Sequence, residues 1–170
     1  DRRQRQMCIR DRGKNNKKNP KTYTSAKKVV LKKPTRKGYA FKGWYTDRKC
    51  TKKITSIKKG SKKNYTIYAK WSKVKVKKTT GLKVMNTKGK NLVVRYSKVS
   101  GAKGYQITYA TNSKFTKGKK VVNTTKRTKT IQKLKKGKTY YVRVRAYKKD
   151  STGRKVYGKY STVKKIKITK

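Results

Sequence analysis

The side chains that could carry out catalysis are scarce in this sequence. The chain of 170 residues has four Asp, two Cys, no Glu and no His. General acid–base catalysis and nucleophilic triads depend on a His or on paired carboxyl groups, and after residue 12 only Asp47 and Asp150 remain. A calcium site needs several carboxylates, and a zinc site needs Cys or His ligands. The composition therefore predicts no enzymatic activity, no metal site and no cofactor.

Positive charge is the chemical feature that remains. Lys and Arg number 57 against four acidic residues, which gives a formal net charge of +53 at pH 7. One interpretation is that Lys fills solvent-facing positions, where it keeps sheet edges from pairing and the protein soluble. The other is that the surface attracts polyanions.

The ratio of the two basic side chains narrows the class of polyanion. Lys outnumbers Arg 45 to 12, whereas Arg is the side chain suited to specific contacts with phosphates and bases. We therefore expect diffuse attraction to anionic wall polymers or glycans, and no sequence-specific binding of nucleic acid.

The best local candidate for such binding lies in the stretch 139-TYYVRVRAY-147. Successive side chains of a strand point to opposite faces, so one face is expected to be buried and to carry Tyr140, Val142 and Val144. The opposite face carries two guanidinium groups between two rings, and we expect its Arg side chains to be exposed. Our predicted polyanion-binding site consists of Tyr141, Arg143, Arg145 and Tyr147. The alternative is an ordinary solvated sheet face with cross-strand packing.

Most of the chain consists of short runs of β-branched and aromatic residues with a period of two. Clusters of Gly, Asn and Lys separate these runs, a pattern typical of strands joined by turns. No long stretch has a convincing period of 3.6 residues. The sequence therefore predicts an all-β (mainly β) fold. The predicted strands are 29–31, 39–46, 65–71, 92–96, 104–110, 128–134, 139–147 and 163–169.

A polar stretch, 72-SKVKVKKTTG-81, follows an aromatic strand end and indicates a boundary between two modules. We place the first module at 13–72, the linker at 73–80 and the second module at 81–169. No apolar run in the chain is long enough to cross a membrane.

The aromatic residues of the first module are its expected core. Strict alternation in 39-YAFKGWY-45 places Phe41 and Gly43 on one face and Trp44 on the other, and Gly43 leaves room for a neighbouring ring. A module of this size buries little surface, so we expect Trp44 and Trp71 to belong to one small core. The alternative for these Trp residues is stacking on a sugar.

The first 12 residues, DRRQRQMCIRDR, differ in composition from everything that follows. They contain two of the four Asp, one of the two Cys and five of the 12 Arg. Read backwards into codons, residues 2–11 resemble a transposase recognition end and its flanking bases in a sequencing-library adaptor. We therefore interpret residues 1–12 as an adaptor-derived artefact and expect them to be unstructured. The alternative is a natural basic tail.

The stretch 34-PTRKGYAFKGWYTD-47, followed by 67-IYAKW-71, resembles the Listeria–Bacteroides repeat, also called the internalin B-repeat. That family has a Pro, then Gly-Tyr-x-Phe-x-Gly-Trp-Tyr, and closes on Leu-Tyr-Ala-Lys-Trp, with Ile67 here in the place of Leu. The resemblance implies a small β-grasp-like module. The family opens with a strand before a Gly-Gly-x-Asn turn. Here 13-GKNN-16 keeps the turn, and we expect the first strand to be missing.

The stretch 134-LKKGKTYYVRVRA-146 resembles the fibronectin type III domain. In that family a Leu is followed by a Gly three residues later, a Tyr six residues later and then Val-x-Val-x-Ala. The stretches 100-SGAKGYQITYA-110 and 157-YGKYSTVKKIKIT-169 fit two further passages of the family. The resemblance implies a β-sandwich in which Tyr140 is the corner tyrosine, its hydroxyl bonded to nearby backbone. Tyr96 stands where the family usually has Trp.

Units of both families occur in tandem as spacers and as adhesion or ligand-binding platforms. The two resemblances therefore imply a non-catalytic fragment of a secreted or cell-wall-attached bacterial surface protein, located outside the cell. Its expected partners are neighbouring modules of the same chain and anionic wall polymers, glycans or host-surface components. The alternative is an accessory region of a secreted glycan-degrading enzyme. A basic nucleic-acid-binding protein would explain the charge but neither resemblance.

Overall fold

The structure, a computed structural model, describes residues 3–170. These residues form 15 strands and no helix, which confirms the predicted all-β fold, and none of them belongs to a helix that could cross a membrane. Two compact units divide the chain. The first unit runs to Val74 and includes Asp150–Arg154, and the second comprises Lys75–Lys149 and Lys155–Lys170.

The first unit is built on a five-stranded sheet with the order β2-β1-β7-β4-β5, beside a pair formed by β3 and β6. Strand β1 runs parallel to β7, whereas the other neighbours are antiparallel. The central position of β7 gives it backbone partners on both sides. The strands of this unit are β1 (Arg5–Arg10), β2 (Thr22–Tyr23), β3 (Val29–Val30), β4 (Tyr39–Tyr45), β5 (Lys53–Ile54), β6 (Ser56–Ile57) and β7 (Tyr65–Lys73).

A β-bulge in β4 decides the core of the first unit. The pairing of β4 with β7 shifts between Phe41 and Gly43, so Phe41 and Trp44 pack together in the core with their ring centroids 5.2 Å apart. The prediction from strict alternation, that Trp44 lies on the face opposite Phe41, is therefore wrong. Trp44 is buried, and Phe41 also contacts the half-buried ring of Trp71 at 5.6 Å. Phe41 thus connects the two Trp residues, although of the two only Trp44 belongs to the buried core.

Residues 5–10 form strand β1, so the expectation that residues 1–12 are unstructured is wrong for this segment. Met7 and Ile9 pair with Tyr65 and Ile67 of β7 and pack on the core of the first unit. The physical reason is the alternation of apolar and exposed residues in β1, which matches an edge of β7 that would otherwise lack backbone partners. This segment occupies the place of the strand that we expected to be missing. Asp1 and Arg2 lie outside the described residues.

The second unit is a sandwich of two sheets. One sheet has the order β11-β10-β13-β14, with β15 also paired to β13, and the other has the order β12-β9-β8. Leu92 and Val94 from one sheet share a core with Ile107 and Val142 from the other, which confirms the predicted β-sandwich. Its strands are β8 (Lys83–Thr87), β9 (Asn91–Arg95), β10 (Gly104–Ala110), β11 (Lys120–Thr124), β12 (Thr128–Ile131), β13 (Thr139–Lys149), β14 (Lys155–Tyr157) and β15 (Lys164–Lys167).

Alternation along β13 is regular on its inner face. Tyr140, Val142 and Val144 are all buried in the core of the second unit, as predicted. The hydroxyl of Tyr140 accepts a hydrogen bond of 3.1 Å from the backbone N–H of Lys135. The expected role of Tyr140 as the corner residue that ties its strand to the preceding turn is therefore confirmed.

Tyr96, which stands where the related family usually has Trp, fills a core position of the second unit. Its ring lies 4.7 Å from the ring of Tyr105, and its hydroxyl donates a hydrogen bond of 2.7 Å to the carbonyl of Lys126. Burial, and then the neighbouring Tyr105, raise the pKa of Tyr96 well above its ordinary value. The hydroxyl therefore stays protonated and keeps its donor role at any physiological pH.

The stretch predicted as a linker, 73–80, is not a separate segment in the structure, because its residues belong to one or the other unit. Lys73 still belongs to β7, whereas Val76 packs against the core of the second unit and Thr79 is fully buried. The backbone N–H of Thr79 donates to the carbonyl of Lys159 at 3.4 Å. Polar composition alone cannot reveal this arrangement, because a single apolar side chain and backbone hydrogen bonds hold the segment on the sandwich.

We expect Gly43→Ala to lower the free energy of unfolding of the first unit by about 2–3 kcal/mol. Gly43 has a φ of 135°, and an added Cβ would meet the Lys53 side chain at 2.9 Å. The control is Gly60→Ala, where φ is 84° and nothing lies within 4 Å of the added atom, so a loss of about 1 kcal/mol is expected. Urea unfolding followed by Trp fluorescence reports on this unit alone, because both Trp residues lie in it. Equal losses in the two variants would contradict the role of the bulge.

For the second unit, we expect Tyr140→Phe to lower the free energy of unfolding by about 1 kcal/mol, since the N–H of Lys135 loses its acceptor. Tyr141→Phe, on the outer face of the same strand, is the matched control and should change the stability by much less. The measurement is urea unfolding followed by circular dichroism. An unchanged stability of Tyr140→Phe would show that water replaces the hydroxyl without cost.

Candidate functional site

The predicted polyanion-binding residues alternate along β13 and lie opposite four residues of β10, with Tyr141 opposite Ala110. Arg143 pairs with Thr108, Arg145 with Gln106 and Tyr147 with Gly104. The prediction that the two Arg side chains are exposed is wrong, because both are half-buried. The structure explains their burial by the rings that cover them.

Three aromatic rings hold the two guanidinium groups. The guanidinium carbon of Arg143 lies 4.1 Å from the ring centroid of Phe115 and 4.0 Å from that of Tyr160. The guanidinium carbon of Arg145 lies 3.9 Å from the centroid of Tyr157 and 4.6 Å from that of Tyr160. We call these five residues the arginine–aromatic ladder. Each cation–ring contact is worth about 0.5–2 kcal/mol, depending on how far it is desolvated.

Hydrogen bonds fix one Arg of the ladder more firmly than the other. The Nε of Arg145 donates to Oε1 of Gln106 at 2.9 Å, and Nε2 of Gln106 donates to the hydroxyl of Tyr157 at 3.3 Å. The Nε of Arg143 is buried and has no hydrogen-bond partner. Rings cover the flat sides of both guanidinium groups, so a ligand could reach only their edges.

The two Tyr residues of the predicted site do not join the ladder. Tyr147 is buried, its ring packs edge-on against Tyr157 at 5.8 Å, and a Cβ on Gly104 would collide with it. Tyr147 is therefore a packing residue, which corrects its predicted place on a ligand-binding face. Tyr141 is half-buried and lies between Ala110 and Lys165 in the sheet.

The sequence did not predict a role for the three rings of the ladder, Phe115, Tyr157 and Tyr160. Phe115 lies in a loop at a φ of 55°, a conformation that no local pattern predicts for an aromatic residue. Tyr157 and Tyr160 lie in the stretch 157–169 that fits the last passage of the related family but precede the predicted strand 163–169, and their spacing of three residues does not match a period of two. This departure from the strand period is the signal that could have identified them.

The described carboxylates serve the turns in which they lie. Asp47 accepts hydrogen bonds from the backbone N–H groups of Lys52, at 2.6 Å, and Thr51, at 3.0 Å. The N–H of Lys52, followed by that of Thr51, holds the pKa of Asp47 below its ordinary value. Asp150 accepts from the N–H groups of Thr152 and Arg154 within its own turn, and its other oxygen accepts from the N–H of Gly38 at 2.8 Å. Neither carboxylate is placed for acid–base catalysis, and residues 3–170 contain no cluster of three or more potential metal ligands.

A second basic surface, which the sequence did not indicate, is a groove in the first unit. It has a volume of about 790 Å³ and is lined by Arg10, Arg12, Arg36, Arg48 and Lys70, together with aromatic residues that include Trp71. We call it the arginine groove. Its five cations come from four separate stretches of the chain, so no sequence motif connects them.

Two family models match the chain, one for each unit. Residues 11–70 match the Listeria-Bacteroides repeat domain, and residues 76–159 match the fibronectin type III domain. The first match begins after β1, so it leaves nearly all of the adaptor-like segment outside the family. None of the curated proteins searched matches the chain.

Solved structures similar to the chain include a Fn3-like protein from Clostridium thermocellum, with 23% identity and a TM-score of 0.43 over 54% of this chain and 92% of that one. The FN5 domain of Drosophila Lar shares 15% identity, with a TM-score of 0.46 over 56% of this chain and 99% of that one. The assignment of the second unit therefore rests on the family model and on its own strand order.

We expect Arg143→Ala to lower the free energy of unfolding of the second unit by about 1–2 kcal/mol, because Phe115 and Tyr160 lose the cation between them. Arg95→Ala is the matched control, since it removes the same charge from an exposed strand position. Urea unfolding followed by circular dichroism gives both values. If the two variants lose the same amount, the ladder contributes no stability beyond ordinary surface packing.

Proposed function

This chain contains a Listeria–Bacteroides repeat followed by a fibronectin type III domain, and on that premise we propose that it is a spacer and polymer-binding platform of a bacterial surface protein. The two kinds of domain indicate a region of a modular bacterial surface protein and are typically non-catalytic. Both are common in extracellular or surface proteins of bacteria. The proposed location is therefore the cell envelope, and the proposed ligands are anionic wall polymers, glycans or host-surface components.

The uncompensated positive charge is the observation that carries the proposal. The chain has 57 basic and four acidic residues. Asp47 directs its oxygens to backbone N–H groups of its own turn, Asp150 accepts from its own turn and from the N–H of Gly38, and Asp11 accepts a hydrogen bond from the N–H of Gly13. The field of the Lys and Arg side chains therefore reaches solvent largely unopposed. Such a surface binds polyanions by releasing their condensed counterions.

The placement of the aromatic residues favours anionic polymers over nucleic-acid bases. Single-stranded nucleic acids bind by stacking bases on free aromatic faces. Trp44, Tyr96 and Tyr105 are buried in the two cores, and Tyr157 and Tyr160 already stack on guanidinium groups. The proposed interaction is thus electrostatic and has little preference for base or sugar.

The test of this proposal is a salt titration of binding by the full chain. We expect heparin and a teichoic-acid-like polymer to bind at low salt and to lose affinity by a factor of about 10³ or more between about 50 and 200 mM salt. Neutral dextran is the control and should not bind. Fluorescence anisotropy of labelled polymer measures each affinity.

Two outcomes would contradict the proposal in different ways. Absence of binding even at low salt would eliminate polyanion binding and leave only the spacer role. Salt-insensitive binding to one defined glycan would replace diffuse attraction with a specific lectin-like site.

A further inference from the structure

We propose that the arginine groove of the first unit is a specific site for the phosphodiester groups of a polyol-phosphate polymer. The inference rests on the proposed function, because it assigns part of the general polyanion affinity to one place and one ligand chemistry. Four observations support it: the position of the groove on the sheet, the predominance of Arg over Lys, the ordered elements that carry two of the Arg residues, and the contacts that the aromatic rings already make.

The outward face of the five-stranded sheet forms the floor of the groove. On β7, Thr66, Tyr68 and Lys70 line the groove and alternate with the core residues Ile67 and Ala69, of which Ala69 also borders the groove. Arg10 of β1 lies beside Tyr68 in the parallel pair. Strand β7 is thus paired on both sides, with β1 in regular register and with β4 across the bulge at Phe41 and Gly43.

The cations of the groove are mostly Arg, although Lys is far more abundant in the chain. Four Arg and one Lys line it, and no carboxylate does, whereas Lys outnumbers Arg 45 to 12 overall. The planar guanidinium group binds phosphate through two parallel hydrogen bonds, which an ammonium group cannot do. The volume of about 790 Å³ is within the range of ligand sites and leaves room for more than one phosphate.

One Arg side chain of the groove stacks on a ring, and a second Arg, with an exposed side chain, projects from an ordered turn. The guanidinium carbon of Arg36 lies 3.8 Å from the ring centroid of Tyr39, and Arg36 is half-buried. Arg48 lies in the turn that Asp47 closes through its bonds to Thr51 and Lys52. Because these elements are already ordered, binding costs less conformational entropy there than on a free Lys side chain.

Two of the three rings that line the groove, Tyr39 and Trp71, already have a partner, which favours a polyol phosphate over a nucleic acid. Tyr39 carries Arg36 on one face, and Lys70 lies 5.3 Å from the neighbouring Tyr45 ring. Trp71 packs against Phe41 and donates its indole N–H to the carbonyl of Asp11. A flexible polyol needs only small apolar contacts along these ring edges, whereas bases need open faces on which to stack.

Arg10 and Arg12 differ from the other cations of the groove, because they lie in the segment that resembles an adaptor. The part of the site outside that segment consists of Arg36, Arg48 and Lys70. The proposed binding residues are therefore Arg36 and Arg48. The double variant Arg10→Ala with Arg12→Ala measures how much the charges of Arg10 and Arg12 add to the affinity.

The experiment titrates the full chain with a short poly(glycerol phosphate) oligomer at about 150 mM salt, where exposed charges are screened beyond about 8 Å. Quenching of Trp71, which lines the groove, gives the signal. We expect Arg36→Ala with Arg48→Ala to weaken binding by about tenfold or more, since each Arg loses a charged hydrogen bond. Arg95→Ala with Arg127→Ala removes the same charge from exposed positions of the second unit and should weaken binding less than about twofold.

A charge-preserving variant guards against loss of folding. Arg36→Lys with Arg48→Lys keeps the charge but removes both planar guanidinium groups. We expect its loss of affinity to be nearly as large as that of the Ala variant. Urea unfolding of each variant, followed by Trp fluorescence, checks that the first unit is intact. Full affinity of a folded Lys variant would overturn the assignment to guanidinium groups.

The remaining outcomes separate this proposal from the more general one. Equal losses in the Arg36/Arg48 and Arg95/Arg127 variants, with binding at low salt retained, would overturn the groove and leave diffuse polyanion affinity in place. Equal binding of a DNA oligomer with the same number of phosphodiesters would overturn the polyol assignment. Absence of binding by the unsubstituted chain at every salt concentration would overturn both proposals.

Discussion

The scarcity of carboxylates is the constraint on which the rest of this structure depends. A cation can be buried only when an opposite charge or a set of hydrogen bonds compensates for lost hydration, and the chain has four acidic residues for 57 basic ones. Among residues 3–170 the Lys and Arg side chains are therefore exposed or half-buried, with the exception of Arg5. The carboxylates that exist close turns, where the backbone N–H groups need acceptors.

Aromatic rings take over part of the role that carboxylates have in other proteins. Arg36 stacks on Tyr39 in the first unit, and Arg143 and Arg145 stack on Phe115, Tyr157 and Tyr160 in the second. A ring face attracts a cation without a formal charge of its own. These rings allow guanidinium groups to be ordered and partly desolvated in a chain that cannot pair them with acids, and the net charge is not reduced by the contact.

The same pairing of Arg with rings has different consequences in the two units. In the second unit rings cover the guanidinium groups on their flat sides, and the result is a packed outer surface of the sandwich. In the first unit Arg36 and Arg48 border an open groove without carboxylates. There, Arg residues on ordered elements remain accessible to a ligand. This is the difference between the proposed binding site and a surface whose cations contribute only to the general electrostatic field.

The sequence by itself determined the class of fold, the two modules and the faces of the longest strand. The period of two in β13 determined that Tyr140, Val142 and Val144 face the core, because successive side chains of a regular strand point to opposite faces. The tertiary structure alone decided the rest. The bulge at Gly43 turned Trp44 into the core, residues 5–10 completed a sheet edge, and Tyr147 became a packing residue. Likewise, Arg36 and Arg48, which lie before and after β4, came to line one groove. Each of these outcomes depends on register and on contacts between strands that are remote in the chain, and local periodicity contains no information about either.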